Sequence, residues 1–267
     1  MSAIIKAVGV KFNNPSLPIL APMITQGLEA AWRPNNSSMG LIDLSGNGHT
    51  LTKAGNPELT ETTILVNNTN GFVTDVRETL DLTYFVVHRA HKDASESNVA
   101  RSWEGFPVGC FYDNRGTSIF CDYYNGQAQI NAQCFGKKTN GAEMQSRLWW
   151  LRRSPIQGNT TNWTVSAFVV KASDNQMFGY QPQLQSTPVQ TYDATPDGYR
   201  LDLRHLSDPV TRQPNYIKLG IANVFFGSAK SEIAEVLIYN RALSQDEIMR
   251  QYQYSKEFML KHRNIVI

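Results

Sequence analysis

The chain is short of charge and of cysteine, and it has no long apolar run. Charged residues make up 18% of its 267 positions, below the roughly one quarter usual for globular domains. The net charge is only +2, so no global field gathers a polyanion, and nucleic acid is not an expected partner. Without many charges the surface must be covered by neutral polar groups, and Asn, Gln, Ser and Thr are abundant. That composition suits exposed β-sheet and hydroxyl-rich ligands. No apolar stretch approaches the roughly 20 residues of a membrane span, so membrane insertion is not expected. The first twenty residues carry Lys6 and Lys11 inside their apolar stretch. They lack a hydrophobic block followed by a small-residue cleavage site, and read as a structural strand rather than a signal peptide. The three cysteines, Cys110, Cys121 and Cys134, are an odd count without an export signal, which argues against a disulfide framework.

What is present is a succession of short β-rich runs separated by Gly, Pro and Asn clusters, the pattern of a sandwich or barrel. Hydrophobic residues, at 41%, are enough for a real core. Tyr84 to Arg89 and Val165 to Val170 are two such runs. Tyr199 to His205 alternates, with Tyr199, Leu201 and Leu203 on one side and Arg200, Asp202 and Arg204 on the other. Turn signals at Asp113–Gly116 and at Asn125-Gly126 predict a meander of Pro107–Tyr112, Thr117–Tyr124 and Gln127–Cys134. Tight turns fix register: the second sets Cys121 opposite Ile130, the first sets it opposite Val108, and no two cysteines face each other. One face then gathers Val108, Cys110, Ile119, Cys121, Tyr123, Ala128, Ile130, Ala132 and Cys134, nearly all core in character. The other gathers Phe111, Ser118, Phe120, Asp122, Tyr124, Gln129, Asn131 and Gln133, aromatics mixed with amides and a carboxylate. Near the C-terminus, Ser244 and Glu247 form a capping box. Ile248, Tyr252, Ser255 and Met259 follow at helical spacing with Phe258 beside them, and Lys261, His262 and Arg263 suit the last turn. This helix is expected to lie across the sandwich and close one end of its core.

Two stretches resemble the concanavalin A-like lectin/glucanase (laminin-G-like) superfamily. One is Gly27 to Trp32 followed by Asp43-Leu44-Ser45-Gly46-Asn47-Gly48. The other is Ile217 to Gly220 followed by Ser231 to Ser244, a strand, an N-R-A-L-S link and the capped helix. The resemblance implies an all-β fold: two antiparallel sheets in a jelly-roll sandwich with one C-terminal α-helix. The resemblance covers roughly residues 27 to 260; the domain is read as residues 26–267, with residues 1–25 as an N-terminal docking arm. Modules of this superfamily bind glycans or proteins, some hydrolyse glycans, and they occur in bacteriophage tail and virion proteins.

The glucanases of the superfamily present acids as E-x-D-x-x-E along one strand, with nucleophile and acid/base about 5–5.5 Å apart. No carboxylates stand at i and i+2 in this chain, and Glu232 and Glu235, three apart, would face opposite sides of a strand. The expectation is therefore no catalytic residue and no enzyme. A zinc site is not signalled by His88, His91 and Asp93 alone, and His88 reads as a half-buried strand residue. Calcium is known in the superfamily, and Asp43, Asn47, Asp113 and Asn114 supply oxygens, but Asx residues are also what turns require; no metal or other cofactor is expected. Arg147 to Arg153 interleaves tryptophans with arginines, and either grips an acidic polymer or is a strand whose tryptophans pack.

The ligand-binding candidates are Phe111, Phe120, Asp122, Tyr124, Gln129 and Asn131. Flat rings can cover the apolar side of a sugar, and the amides and carboxylate can bond its hydroxyls. Alternatively, this face packs on another sheet or subunit. The expected function is a non-catalytic binding or structural component of a phage tail or virion, made in the host cytoplasm. It would recognise a surface glycan or polysaccharide, and dock on other virion proteins through the arm; a homo-oligomer is compatible. The alternatives are a polysaccharide-degrading hydrolase and a structural decoration with no ligand.

Overall fold

The structure, a computed structural model, describes residues 22–37, 39–91, 101–110, 115–124, 127–138, 140, 144–152, 162–208, 210–221 and 230–267; within them, the side chains of 90–91, 101–104, 122–124, 127–129 and 144–152 are outside the description. Two antiparallel sheets stack as a sandwich, as the sequence leads one to expect. The first runs β13 (Gln190–Asp193), β12 (Gln176–Tyr180), β11 (Thr164–Lys171), β6 (Leu82–His91), β16 (Lys230–Tyr239), β4 (Ile64–Asn67) and β3 (Glu58–Leu59). Along its free edge β16 pairs first with β4, at Lys230–Ile233, and then with β1 (Leu28–Trp32), at Val236–Tyr239. The second runs β10 (Met144–Arg152), β9 (Gln127–Lys138), β8 (Thr117–Tyr124), β7 (Arg101–Gly109), β15 (Tyr216–Leu219), β5 (Gly71–Arg77) and β2 (Leu51–Ala54), with β14 (Tyr199–Arg200) on β9.

Between the sheets Trp32, Phe72, Val86, Ile119, Ile130, Phe168, Leu219 and Val236 form one core. A second core lies on the outer side of the first sheet, under α1 (Gln245–Arg263), where Ile248, Tyr252, Phe258 and Met259 meet Phe85, Val87, Val165, Ala167, Leu237 and Tyr239. β6, β11 and β16 are thus buried on both faces. This is why Tyr84–Val87 and Val165–Val170 read as continuous apolar runs rather than alternations. The helix therefore covers an outer face instead of closing an end. Its apolar residues match the exposed side of three central strands, and the Asn240 to Leu243 link is too short to carry it elsewhere. No helix among the described residues is long and apolar enough to cross a membrane.

The meander forms as β7, β8 and β9. Tyr124 pairs with Gln127 and Cys121 with Ile130, the register expected from Asn125-Gly126. On the other side Val108 pairs with Ile119, not with Cys121. Two irregularities in β7, between Trp103 and Val108, and the Cys110 N–H donated to Thr117 O at 2.9 Å set this register. The slip is two residues, so each residue keeps its face. Cys110 bonds Thr117 from one side while Cys134 pairs with it from the other. Two strand spacings, about 9.5 Å, separate them, beyond the roughly 7 Å a disulfide spans. All three thiols are free and buried.

The expected strand Tyr199–His205 ends after Arg200. Leu203 is exposed and Arg204 is buried, the reverse of the alternation, because the chain turns Arg204 inward. There its Nη1 reaches Cys134 Sγ at 2.9 Å and Glu78 Oε1 at 3.3 Å. Of the expected arm, residues 1–21 lie outside the described residues. Ile24 is already held to the domain: its N–H donates to Gln251 Oε1 and its carbonyl accepts from Tyr239 Oη, both at 3.1 Å.

Candidate binding faces

The outer side of the second sheet carries the candidates named from the sequence. The backbone register sets Asp122 beside Gln129 and Phe120 beside Asn131 in adjacent rows, with Tyr124 and Gln127 in the next. The rows extend across neighbouring strands. Trp103 pairs with Asp122, and Arg152 with Gln129, so Trp103, Asp122, Gln129 and Arg152 form one line over four strands. Trp150 continues the line of Phe120 and Asn131, while Trp149 falls opposite Ala132, a core position. Phe120 and Asn131 are buried, as are Ser118, Gln133 and Phe135, so this part of the face is covered. The side chains of Asp122, Tyr124 and Gln129 are outside the description, and Phe111 lies outside the described residues.

The first sheet holds a feature that the sequence conceals. A bulge at Ala234 shifts the register of β16 on β6, so that Ile233 pairs with His88 and Glu235 with Val87. The extra residue turns Glu235 to the side that Glu232 and Ala234 already occupy. Glu232 and Glu235 therefore share the outer face, contrary to the expectation from their spacing. Each acid is held by an arginine through Nε at 2.6 Å: Glu235 by Arg33 and Glu232 by Arg89. Glu235 also accepts from Ser255 Oγ of α1, and Glu232 from Thr63 Oγ1 at 2.6 Å. Arg33 lies against the ring of Phe258, 3.6 Å from its centroid. Arg263 donates to the carbonyls of Arg33, Pro34, Thr62 and Ala234; burial, with the neighbouring Arg33 charge, pulls its guanidinium down to about 10. Arg89 stacks over Trp163 with Cζ 4.9 Å from the ring centroid. Nothing in the spacing of these residues announces the network; the bulge and the helix docking create it.

The D-x-S-G-x-G turn is structural. Asp43 Oδ1 accepts from the Ala31 and Ser45 N–H groups, and Oδ2 accepts from Ser45 Oγ, Gly48 N and His49 N, at 2.7 to 3.1 Å. Its lone pairs are thereby directed at donors rather than at a cation. Asn47 gives its amide N–H groups to the Leu28 and Glu29 carbonyls; Asp113 and Asn114 lie outside the described residues. His49 then sits between Asp75 Oδ1 at 3.0 Å and Glu29 Oε1 at 3.2 Å, joining the two sheets. Burial works against it, but the Thr50 N–H and the His49 ring hold the Asp75 carboxyl below its ordinary value. His88 is fully buried between the sheets rather than half-buried, with Nε2 2.9 Å from Ser166 Oγ and Nδ1 3.9 Å from Cys121 Sγ. Among the described residues no three His, Cys, Asp or Glu converge as a metal ion requires. Burial raises the Cys110 thiol and pushes Cys134 up to about 11 despite the adjacent Arg204.

No protein-family model and no curated protein matches the chain. Its fold is similar to solved receptor-binding domains of toxins. The receptor-binding domain of botulinum neurotoxin D aligns with a TM-score of 0.59 at 12% identity, over 86% of this chain and 53% of that one. The binding domain of Paraclostridial Mosquitocidal Protein 1 aligns at 0.61 and 13%, over 86% and 53%. The botulinum neurotoxin serotype G binding domain aligns at 0.61 and 12%, over 86% and 51%. The chain spans about half the length of these structures. At such identities the likeness establishes a shared β-sandwich fold.

Proposed function

We propose that the chain is a non-catalytic binding module of the concanavalin A-like kind, recognising a surface glycan through the outer face of its second sheet. The observation that carries this reading is the four-strand line of Trp103, Asp122, Gln129 and Arg152, with Tyr124 and Gln127 in the next row. Aromatic, amide and charged groups in adjacent rows are the set a sugar needs: an apolar ring to lie on and paired acceptors and donors for its hydroxyls. The likeness to toxin receptor-binding domains supports a binding role at the level of fold. The hydrolase alternative loses support because the two acids brought to one face, Glu232 and Glu235, are each bonded to an arginine. A phage tail or virion is the setting proposed for the module, with residues 1–21 as its docking arm; host-surface polysaccharide is then its target.

A glycan array read beside a reducing-end assay on the same polysaccharides tests this function. Binding without release of reducing ends is expected, with at least a tenfold loss for Asp122→Ala or Tyr124→Ala. Release of reducing ends makes the chain a hydrolase. Absence of array binding makes it a structural decoration.

A further inference from the structure

We propose that Arg89, on the outer face of the first sheet beyond the end of α1, is the anion-recognising centre of a separate site for the carboxylate of an acidic sugar. The site does not rest on the second-sheet reading, because it is built from other residues on the opposite side of the sandwich.

The sheet uses one arrangement twice, an arginine Nε on a glutamate of β16. At Glu235 the helix seals it: the side chains of Arg33 and Glu235 are 3% and 0% exposed. At Glu232 the pair lies one step further along β16. Arg263, in the last turn of the helix, reaches only as far as the Ala234 carbonyl. Arg89 is 34% exposed while its partner Glu232 is 8% exposed. The guanidinium is therefore anchored from below and open from above.

Its orientation is fixed by two contacts, and the described residues leave its outer edge unused. Nε is tied to Glu232, which Thr63 Oγ1 holds in turn, and the plane lies over the Trp163 ring. Neither Nη group bonds to a described residue. The pair of Nη donors matches the two oxygens of a planar carboxylate, and preorganisation removes most of the ordering cost of such a contact. The local charge favours an anion. Lys230 stands on the same face two residues before Glu232, exposed and without an ion-pair partner among the described residues, so among the described residues two cations accompany one carboxylate. Trp163 is half-buried against the helix-side core and leaves part of its indole beside the guanidinium. An apolar surface next to an oxyanion fork fits a pyranose ring that carries its own carboxylate.

Calorimetric titration of the full chain with tetragalacturonate and with sialyllactose tests the site, with the methyl esters of both, a sulfated neutral oligosaccharide and free acetate as comparisons. At least one acidic sugar should bind, its ester at least tenfold more weakly. Arg89→Lys, which keeps the charge and loses the fork, should weaken binding at least tenfold, and Trp163→Ala several-fold, both with a native circular dichroism spectrum. Tyr124→Ala should leave this binding intact, which separates it from recognition by the second sheet. Equal binding of acid and ester, binding carried by the sulfated sugar or by acetate alone, no change in Arg89→Lys, or no binding of either acidic sugar overturns the proposal.

Discussion

A buried carboxylate is costly unless both of its oxygens are bonded, and Glu235 shows how this chain bonds them. It has Arg33 Nε on one oxygen and Ser255 Oγ on the other, inside a face sealed by Phe258. The pair stabilises mainly by not being broken, since either charge left alone is unsolvated. Glu235→Ala should therefore cost about 3–5 kcal/mol. Replacing both partners, as Arg33→Met with Glu235→Leu, should recover most of that loss, because the desolvation cost goes with the charges. Urea unfolding of the three proteins checks this; a Glu235→Ala loss under about 1 kcal/mol would show that Arg33 finds another partner. The pair was not legible in the sequence. Glu232 and Glu235 are three apart, and a regular strand puts them on opposite faces. Only the extra residue at Ala234 brings them together, and a bulge inside Ser231–Tyr239 has no glycine or turn residue to mark it. Asp43, by contrast, was legible as a turn residue, because Asp-x-Ser-Gly-x-Gly can satisfy its own backbone donors within six residues.

Local signals were sufficient for the elements they govern. The capping box at Ser244 and Glu247 forms as read, with Ser244 Oγ accepting the Glu247 N–H at 3.3 Å and Glu247 Oε2 accepting the Ser244 N–H at 2.9 Å. The three strands of the meander pair in the order that the two turn signals predict, even where β7 slips by two residues. Where the helix docks was not local information. It depends on β6, β11 and β16 being apolar on both faces, and such a run looks the same whether the second face meets a sheet or a helix. Tyr199–His205 failed for a similar reason: alternation alone cannot say that Arg204 is needed between Glu78 and Cys134. The helix entrance also titrates. Glu247 bonds Arg241 at 2.6 Å, and this contact, joined by the Ser244 N–H, lowers its carboxyl to about 2. The folded value lies below the unfolded one, so the contribution is fully present above about pH 5. It is lost as the pH falls through the folded value. Glu247→Gln should then cost about 0.2–1 kcal/mol at pH 7, and the gap in melting temperature from the native chain should close between pH 4.5 and 2. A gap independent of pH would assign the effect to packing.

At the scale of the whole molecule, three layers share two cores: the second sheet, the first sheet, and a helix with the segment that precedes β1. The first two were legible, because strand spacing and turn chemistry fix a sandwich. The third layer changes what the N-terminus does. Ile24 is buried in the helix-side core, its N–H on Gln251 of α1 and its carbonyl under Tyr239. The domain is therefore expected to begin at or before Ile24 rather than after Thr25. Two deletions separate these alternatives. Removing residues 1–21 takes away none of the contacts described for the two cores, and should leave a folded chain with a melting temperature within a few degrees of the full protein. Removing residues 1–25 also strips three hydrogen bonds, the two at Ile24 and the Leu28 N–H on the Thr25 carbonyl, each worth about 0.5–1.5 kcal/mol, and one buried aliphatic side chain, worth about 1.5–3 kcal/mol. That sum, on the order of 3–7.5 kcal/mol, corresponds to a fall of roughly 6–30 °C for a chain of this size. The arm reading adds a second requirement: the 1–21 deletion must stay soluble and monodisperse while losing assembly with its partners, since an apolar segment with the sequence of Ala3 to Phe12 would dock by adding to a sheet edge. If the 1–21 deletion unfolds the chain, those residues belong to the domain and the docking role is withdrawn. If it folds and still assembles, the interface lies on the sandwich itself.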